Sequence, residues 1–298
     1  MLSWTDAGAV QRPETLQIRV QRRYPGRVRA SAPTPGRSLS LEEVLDNLRY
    51  FTEGQRGPRT APCTGLVLSG VGLLSSQDTG PSLVAARELG IRHTVVHAGV
   101  EDLATLEATR WRGLVDTLVV PLRPSDAGPQ APLESARIAA CRAAGIALAV
   151  NCVLDATAVA VLPALVDAAR RWEPASFTLS FPFPGAADPA DLVAPAVLLP
   201  ALRAAVASLQ GQACSPRLKG LPACHLAELA PLLAPSSNRW YVDAEHQRER
   251  ALLFFPDVLA FHKGEACRFC ARDPSCDGFF VEWLRLAGFP PLEPLSAP

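Results

Sequence analysis

The feature that most limits how this chain can fold is a repeated order of helix, glycine and apolar strand. Gly90 separates the helix predicted at 82–89 from a strand that begins with isoleucine, and Gly145 separates the helix predicted at 137–144 from another such strand. Glycine directly after the last helical turn is a common end signal of helices. Buried strands that alternate with helices predict a parallel sheet whose faces are covered.

The whole chain contains six predicted strands of this kind. The first alternates apolar and polar residues, and Ser40 with Glu43 then forms a capping box for an amphipathic helix. Six strand–helix units predict an α/β fold, either a doubly wound sheet or a partial (β/α)6 TIM-like barrel. In both, chemistry lies at the carboxyl ends of the strands. The predicted strands are 15–20, 66–68, 91–97, 114–120, 146–150 and 176–181.

The periodic pattern stops near residue 212, which divides the chain into three predicted parts. Residues 1–13 form a flexible tail, 14–212 form the barrel, and 213–298 form a cysteine-rich C-terminal cap rather than a seventh repeat. We also predict one continuous helix at 157–171 and a short helix at 279–287 within the cap.

Composition excludes several classes of protein. The chain is 48% hydrophobic and 19% charged, which excludes intrinsic disorder. Its 29 Lys and Arg residues balance 29 Asp and Glu residues, so its charge does not favour binding to nucleic acid or to an anionic membrane. No apolar run reaches the roughly 18 residues of a membrane span, and the N-terminus has no apolar signal region. We therefore expect a cytoplasmic protein.

Three of the eight cysteines lie within ten residues, as Cys267, Cys270 and Cys276. In a reducing compartment such a C-x2-C-x5-C array indicates a metal site rather than disulfides, because two thiolates two residues apart can face one centre. Of the scattered cysteines, we interpret Cys141 and Cys152 as small buried hydrophobic side chains.

A fourth ligand has to come from elsewhere in the chain. We choose Cys224, with Cys214 and His225 as alternatives. Four thiolates suit an iron–sulfur cluster. Four thiolates, or three thiolates and one imidazole, suit a structural zinc ion equally well. Spacing alone does not decide between the two.

The order of these signals resembles that of radical S-adenosylmethionine (SAM) enzymes with a C-terminal SPASM or twitch-type auxiliary cluster. The segment 150–154 (Val-Asn-Cys-Val-Leu) is similar to the family's fifth strand, and 177–185 is similar to its sixth. The ending from Cys267 through the proline-rich stretch 290–294 is similar to the auxiliary-cluster region. The resemblance covers about 14–294, favours the partial barrel, and implies a [4Fe–4S] auxiliary cluster on the C-terminal cysteines.

The first departure from that family concerns the cluster that cleaves SAM. Family members hold it through C-x3-C-x2-C after the first strand, where this chain has Arg23, Arg27 and Ala30. Arginine cannot ligate iron, because it is cationic and has no available lone pair. No cysteine occurs before Cys63.

The second departure concerns the turn after the second strand. In the family this turn is Gly-Gly-Glu-Pro, and its glutamate holds the amine of SAM. Here residues 70–73 are Gly-Val-Gly-Leu, so Gly70 and Gly72 remain and the carboxylate is absent. Both departures argue against reductive cleavage of SAM.

These observations give three functional hypotheses. The first is a radical SAM-like protein without catalysis, which binds a substrate such as a peptide or serves as an accessory subunit of an intact radical SAM enzyme, and retains the C-terminal iron–sulfur site. The second is an enzyme of different chemistry on the same barrel, with His97, Asp155 and Asp126 as candidate acids or bases. The third is a zinc-stabilised interaction module.

Overall fold

The computed structural model describes 13–21, 37–53, 62–103, 106–127, 131–184, 189–210, 213–234, 236, 239–253, 261–286 and 289–296. Its centre is one sheet of eight strands in the order β7-β6-β5-β4-β3-β2-β1-β8, and every neighbouring pair is parallel. The strands are β1 (Thr15–Arg19), β2 (Gly65–Ser69), β3 (His93–His97), β4 (Thr117–Leu122), β5 (Ala147–Val153), β6 (Ser176–Ser180), β7 (Ser215–Lys219) and β8 (Trp240–Val242).

The α/β, TIM-like fold is confirmed, but the sheet has two more strands than the six predicted. Strands β7 and β8 both lie beyond residue 212, so the sheet does not end where the periodic pattern ends. Strand β7 buries only Leu218, and β8 is three residues long. Strands with so few buried apolar residues leave no alternating pattern for sequence analysis to detect.

Helices cover one face of the sheet. The amphipathic helix α1 begins as predicted: the Ser40 hydroxyl accepts from the Glu43 backbone N–H, and the Glu43 carboxylate accepts from the Ser40 N–H. The predicted helix 157–171 is instead two helices, because the chain departs from helical geometry at Val161. The helices are α1 (Leu41–Thr52), α2 (Thr79–Glu88), α3 (Val100–Leu103), α4 (Ala131–Ala143), α5 (Ala156–Ala160), α6 (Leu162–Trp172), α7 (Pro195–Leu209), α8 (Ala223–Leu226) and α9 (Val281–Leu284).

The two faces of the sheet differ in chemistry. Alternate strand residues, for example Leu118, Val150 and Phe177, are buried with helix side chains in one hydrophobic core. The intervening residues form the inner face, which is in large part half-exposed and carries polar side chains as well as apolar ones such as Val67, Val95 and Val119. This inner face carries Gln17, Arg19, Ser69, His97, Asn151, Ser180, Lys219 and Tyr241.

The C-terminal segment adds a small antiparallel hairpin of β9 (Phe261–His262) and β10 (Phe279–Phe280). The helix predicted at 279–287 is therefore wrong at its start, because Phe279 and Phe280 pair with β9 and only Val281–Leu284 is helical. Trp283 ties this segment to the sheet, since its indole N–H donates to the Pro182 carbonyl at 2.8 Å just after β6.

A membrane-crossing helix is not found: none of the helices in the described ranges is long and apolar enough to span a bilayer.

Candidate metal centre and the inner face

Four cysteines from two separate parts of the chain line one small cavity, which we call the cysteine cavity. Cys224 comes from α8, shortly after β7. The other three lie on the loop 263–278, whose two ends are held together by the pairing of His262 with Phe279. The cavity measures about 20 Å³. Its lining also includes Pro222, Ala223, Lys263, Asp273, Gly278, Leu292 and Glu293 alongside Cys224, Cys267, Cys270 and Cys276.

Backbone N–H groups point at two of these sulfur atoms. The Cys270 sulfur accepts from the N–H groups of Arg272 and Leu295, each at 3.4 Å. The Cys276 sulfur accepts from the N–H groups of Gly278 and Ala223, also at 3.4 Å. A thiolate gains more from such hydrogen bonds than a neutral thiol does, so this arrangement suits sulfur that is ionised.

The sulfur atoms also act on one another. Burial raises the pKa of Cys224, and charge on Cys276 and Cys267 raises it further, although a backbone hydrogen bond from Glu293 opposes the change. Burial likewise raises the pKa of Cys267, with added repulsion from Cys276 and Cys270. Several thiolates in one half-buried place repel each other unless a cation lies between them.

Four cysteine thiols are a donor set that an iron–sulfur cluster or a zinc ion can take. Within the described ranges, no three His, Cys, Asp or Glu side chains form a group that could hold a metal ion as the side chains stand. The ligand set therefore remains a prediction, and the cavity shows which side chains share one space.

The two alternative fourth ligands lie elsewhere. Cys214 directly precedes β7, whereas Cys224 follows its carboxyl end, and Cys214 is buried outside the cavity lining. His225 is also outside the lining; its Nε2 lies 3.2 Å from the Pro291 carbonyl and its ring packs edge-on against Phe279. This geometry favours Cys224.

The remaining cysteines are buried, as predicted for Cys141 and Cys152. Burial raises the pKa of Cys141 to about 11 and that of Cys152 to about 12. Cys63 lies before β2, at the amino end of the sheet, where its thiol faces the Pro13 carbonyl. None of the three lies at the carboxyl edge facing the inner surface.

Thiol alkylation should distinguish the four cysteines that line the cavity from the four buried cysteines. In chelator-treated, reduced protein, brief iodoacetamide exposure is expected to modify the half-exposed Cys224, Cys267, Cys270 and Cys276 well before the four buried cysteines. Peptide mass spectrometry measures the order, and metal loading is expected to abolish modification of the first set only. Protection of Cys214 in place of Cys224 would reassign the fourth ligand.

Among the positions predicted to be degenerate for SAM, those after β2 lie within the described residues. Arg23 and Arg27 lie outside the described residues. Gly70 follows β2 directly, and Gly72 has a φ of +68°, a left-handed conformation that favours glycine. The turn therefore has a tight backbone, and its side chains offer no carboxylate for an amine.

Two of the three candidate acids and bases have structural roles. Asp155 caps α5 by accepting from the Ala158 N–H at 2.8 Å, and Asp126 accepts from the Arg123 N–H at 2.7 Å. His97 is different, because it lies on the inner face at the end of β3. Burial, together with the charges of Arg239, Lys219 and Arg19, lowers the pKa of His97 to about 4. His97 is thus neutral at pH 7.

Sequence reasoning did not predict that these three charges act on His97. Arg19 ends β1, Lys219 ends β7, and Arg239 comes just before β8. Arg239 donates to the Gln17 side chain at 3.1 Å, and the Arg19 guanidinium lies 5.6 Å from the centre of the Tyr241 ring. Lys219 lies on β7 and Arg239 lies beside β8, and neither strand was predicted. No sequence signal therefore grouped the three residues.

The comparisons with known proteins agree with a radical SAM-like fold. No family model matches the chain, and no curated protein matches its sequence. Solved structures do match: the native structure of anSMEcpe with bound AdoMet aligns over 89% of this chain and 88% of that one, at 9% identity and a TM-score of 0.57.

SuiB from Streptococcus suis is a second structural neighbour. Its structure bound to S-adenosylmethionine aligns over 93% of this chain and 75% of that one, at 14% identity and a TM-score of 0.56. In another SuiB crystal structure the alignment spans only about half the length of that protein, 50% against 70% of this chain, with a TM-score of 0.46. At these identities the likeness establishes the fold.

Proposed function

We propose that this protein is a non-catalytic, radical SAM-like subunit that carries one C-terminal [4Fe–4S] cluster on Cys224, Cys267, Cys270 and Cys276. It would bind a substrate, such as a peptide, or assist an intact radical SAM enzyme in the cytoplasm. The observation that carries the proposal is the convergence of these four cysteines on one cavity from two distant parts of the chain.

Two features of the cysteine cavity support a cluster over a zinc ion. Zinc draws four sulfurs to about 2.3 Å from a single point, which leaves no space between them. A cluster keeps its thiolates farther apart, because each binds a different iron atom. The cavity between the sulfurs and the N–H groups directed at Cys270 and Cys276 are both consistent with the cluster. When bound, such a cluster supplies an electron-transfer centre and a covalent tie across the loop.

The absence of SAM chemistry is supported by the sequence at the carboxyl ends of β1 and β2. The structures of SuiB and anSMEcpe both contain bound S-adenosylmethionine. This chain has no cysteine in residues 1–62, and its glutamate-free turn at 70–73 follows β2. Cys152 belongs to β5 but is fully buried on the helix-covered face, so it does not replace a missing ligand.

Anaerobic reconstitution tests the proposal. We expect brown protein with about four iron and four sulfide per chain. Reduction in the presence of SAM is expected to give no 5′-deoxyadenosine above a protein-free blank, with an intact radical SAM enzyme as the positive control. Stoichiometric zinc without iron would contradict the cluster, and multiple turnovers of SAM cleavage would contradict the non-catalytic role.

A further inference from the structure

We propose that the C-terminal segment 289–295, here called the strap, retains the metal bound at the cysteine cavity and sets how fast that metal is released. The inference rests on the function proposed above and deepens it, because it assigns the regulation of the same site. The strap forms one side of the cysteine cavity, where Leu292 and Glu293 belong to the lining.

Aromatic packing fixes the start of the strap. The ring centre of Phe289 lies 5.3 Å from that of Phe279 in the hairpin and 5.7 Å from that of Phe181 after β6. Three of the five residues 290–294 are proline. Proline restricts the unfolded backbone, so these residues lose less conformational entropy when the strap becomes ordered.

The far end of the strap is joined to the loop 263–278 by two backbone hydrogen bonds. The Leu295 N–H donates to the Cys270 sulfur at 3.4 Å, and the Leu295 carbonyl accepts from the Ala271 N–H at 2.9 Å. None of the strap residues belongs to a helix or a strand. The position of this end therefore depends on its contacts with the loop.

The middle of the strap contacts the other part of the chain that supplies a cysteine. His225 Nε2 lies 3.2 Å from the Pro291 carbonyl oxygen, and His225 directly follows Cys224 in α8. Because a carbonyl oxygen only accepts hydrogen bonds, Nε2 carries the ring proton in this contact. The strap thus connects α8 with the loop 263–278, and it has to move when these two parts separate to release metal.

The contact between Leu295 and Cys270 also makes the strap sensitive to metal. A neutral thiol is a weak acceptor, whereas an ionised sulfur accepts a charge-assisted hydrogen bond. Metal binding requires deprotonated cysteine, so the Leu295 N–H binds the sulfur more strongly in the metal-loaded protein. Coupling of this kind is reciprocal, and the closed strap therefore makes the metal bind more tightly.

The rate of iron transfer from reconstituted protein to an excess of chelator tests the strap. Leu295→Pro removes the N–H that donates to Cys270 and keeps the carbonyl, whereas Leu295→Val keeps both and is the matched control. We expect release from Leu295→Pro to be about tenfold faster or more, because a hydrogen bond to a charged group is lost. Leu295→Val should stay within about twofold of the wild type.

A second pair of variants tests the strap at a distance from the cysteines. Phe289→Ala removes the aromatic anchor and is also expected to release iron faster. Phe183→Ala is its control: Phe183 is likewise half-exposed and packs on Phe280 of the hairpin at 5.5 Å between ring centres, without being part of the strap. Its release rate should stay close to that of the wild type.

Release at the wild-type rate from both Leu295→Pro and Phe289→Ala, or equal acceleration in their controls, would overturn the strap. The metal content before chelation tests the cluster separately. Wild-type protein that takes up zinc instead of iron contradicts the cluster alone, and zinc release from the same four variants then tests the strap. Uptake of neither metal contradicts both proposals.

Discussion

Alanine in place of Gly278 is expected to unfold the cysteine loop and prevent metal binding. Gly278 has a φ of +88°, and a Cβ atom there would lie 2.1 Å from the His262 carbonyl oxygen. That oxygen belongs to the backbone of β9, so no side-chain rotation can relieve the clash. The Gly278 N–H also donates to the Cys276 sulfur. We expect a loss of about 3 kcal/mol or more in stability, measured by denaturant unfolding.

Gly264→Ala is the matched control for this prediction. Gly264 lies at the other end of the same loop, with a φ of −69° and no atom within 4 Å of an added Cβ. Its replacement should leave metal content unchanged and stability within about 0.5 kcal/mol of the wild type. Equal behaviour of the two variants would show that the hairpin does not frame the cysteine loop as described.

Loss of the proposed ligand Cys270 should lower stability about as much as the Gly278 replacement. Cys270→Ala removes a sulfur that accepts from the N–H groups of both Arg272 and Leu295, and so connects the loop to the C-terminal segment. Because metal-binding energy at such sites is also folding energy, we expect nearly complete loss of iron and destabilisation on the order of 3–5 kcal/mol. Iron analysis and thermal unfolding measure the two effects.

Cys214→Ala provides the comparison for Cys270→Ala. It truncates a buried thiol just before β7 and is expected to cost some packing energy while the full iron content is retained. Full iron in Cys270→Ala, or iron loss in Cys214→Ala, would show that the proposed ligand set is wrong.

Local sequence signals predicted the local structure well. The Ser40–Glu43 capping box and the six central strands depend on residues close together in the chain, and each is present. The sequence favoured Cys224 as the fourth ligand but left Cys214 and His225 open, because the position of each depends on β7. Once β7 is placed at Ser215–Lys219, Cys214 and Cys224 fall at opposite ends of that strand.

The effect of distant cations on His97 could not be predicted from the sequence for a related reason. Lys219 ends the edge strand β7 and Arg239 comes just before the edge strand β8, and in the curved sheet the charges of both act on His97. Such curvature is set by all eight strands together and has no signature in any short segment.

The aromatic contact between the hairpin and the sheet connects metal binding by the cysteines with ligand binding at the ends of β6 and β7. Phe181, directly after β6, packs against Phe279, with ring centres 5.7 Å apart, and Gly220 after β7 leaves room for both Phe181 and Phe280. Metal binding to the cysteine sulfurs would therefore reduce the mobility of the rim, the segments around Phe181 and Gly220 where β6 and β7 end. By reciprocity, a molecule that binds this rim would bind the metal-loaded form more tightly and would slow release of the metal. Binding at the rim would thus depend on whether the metal site is occupied.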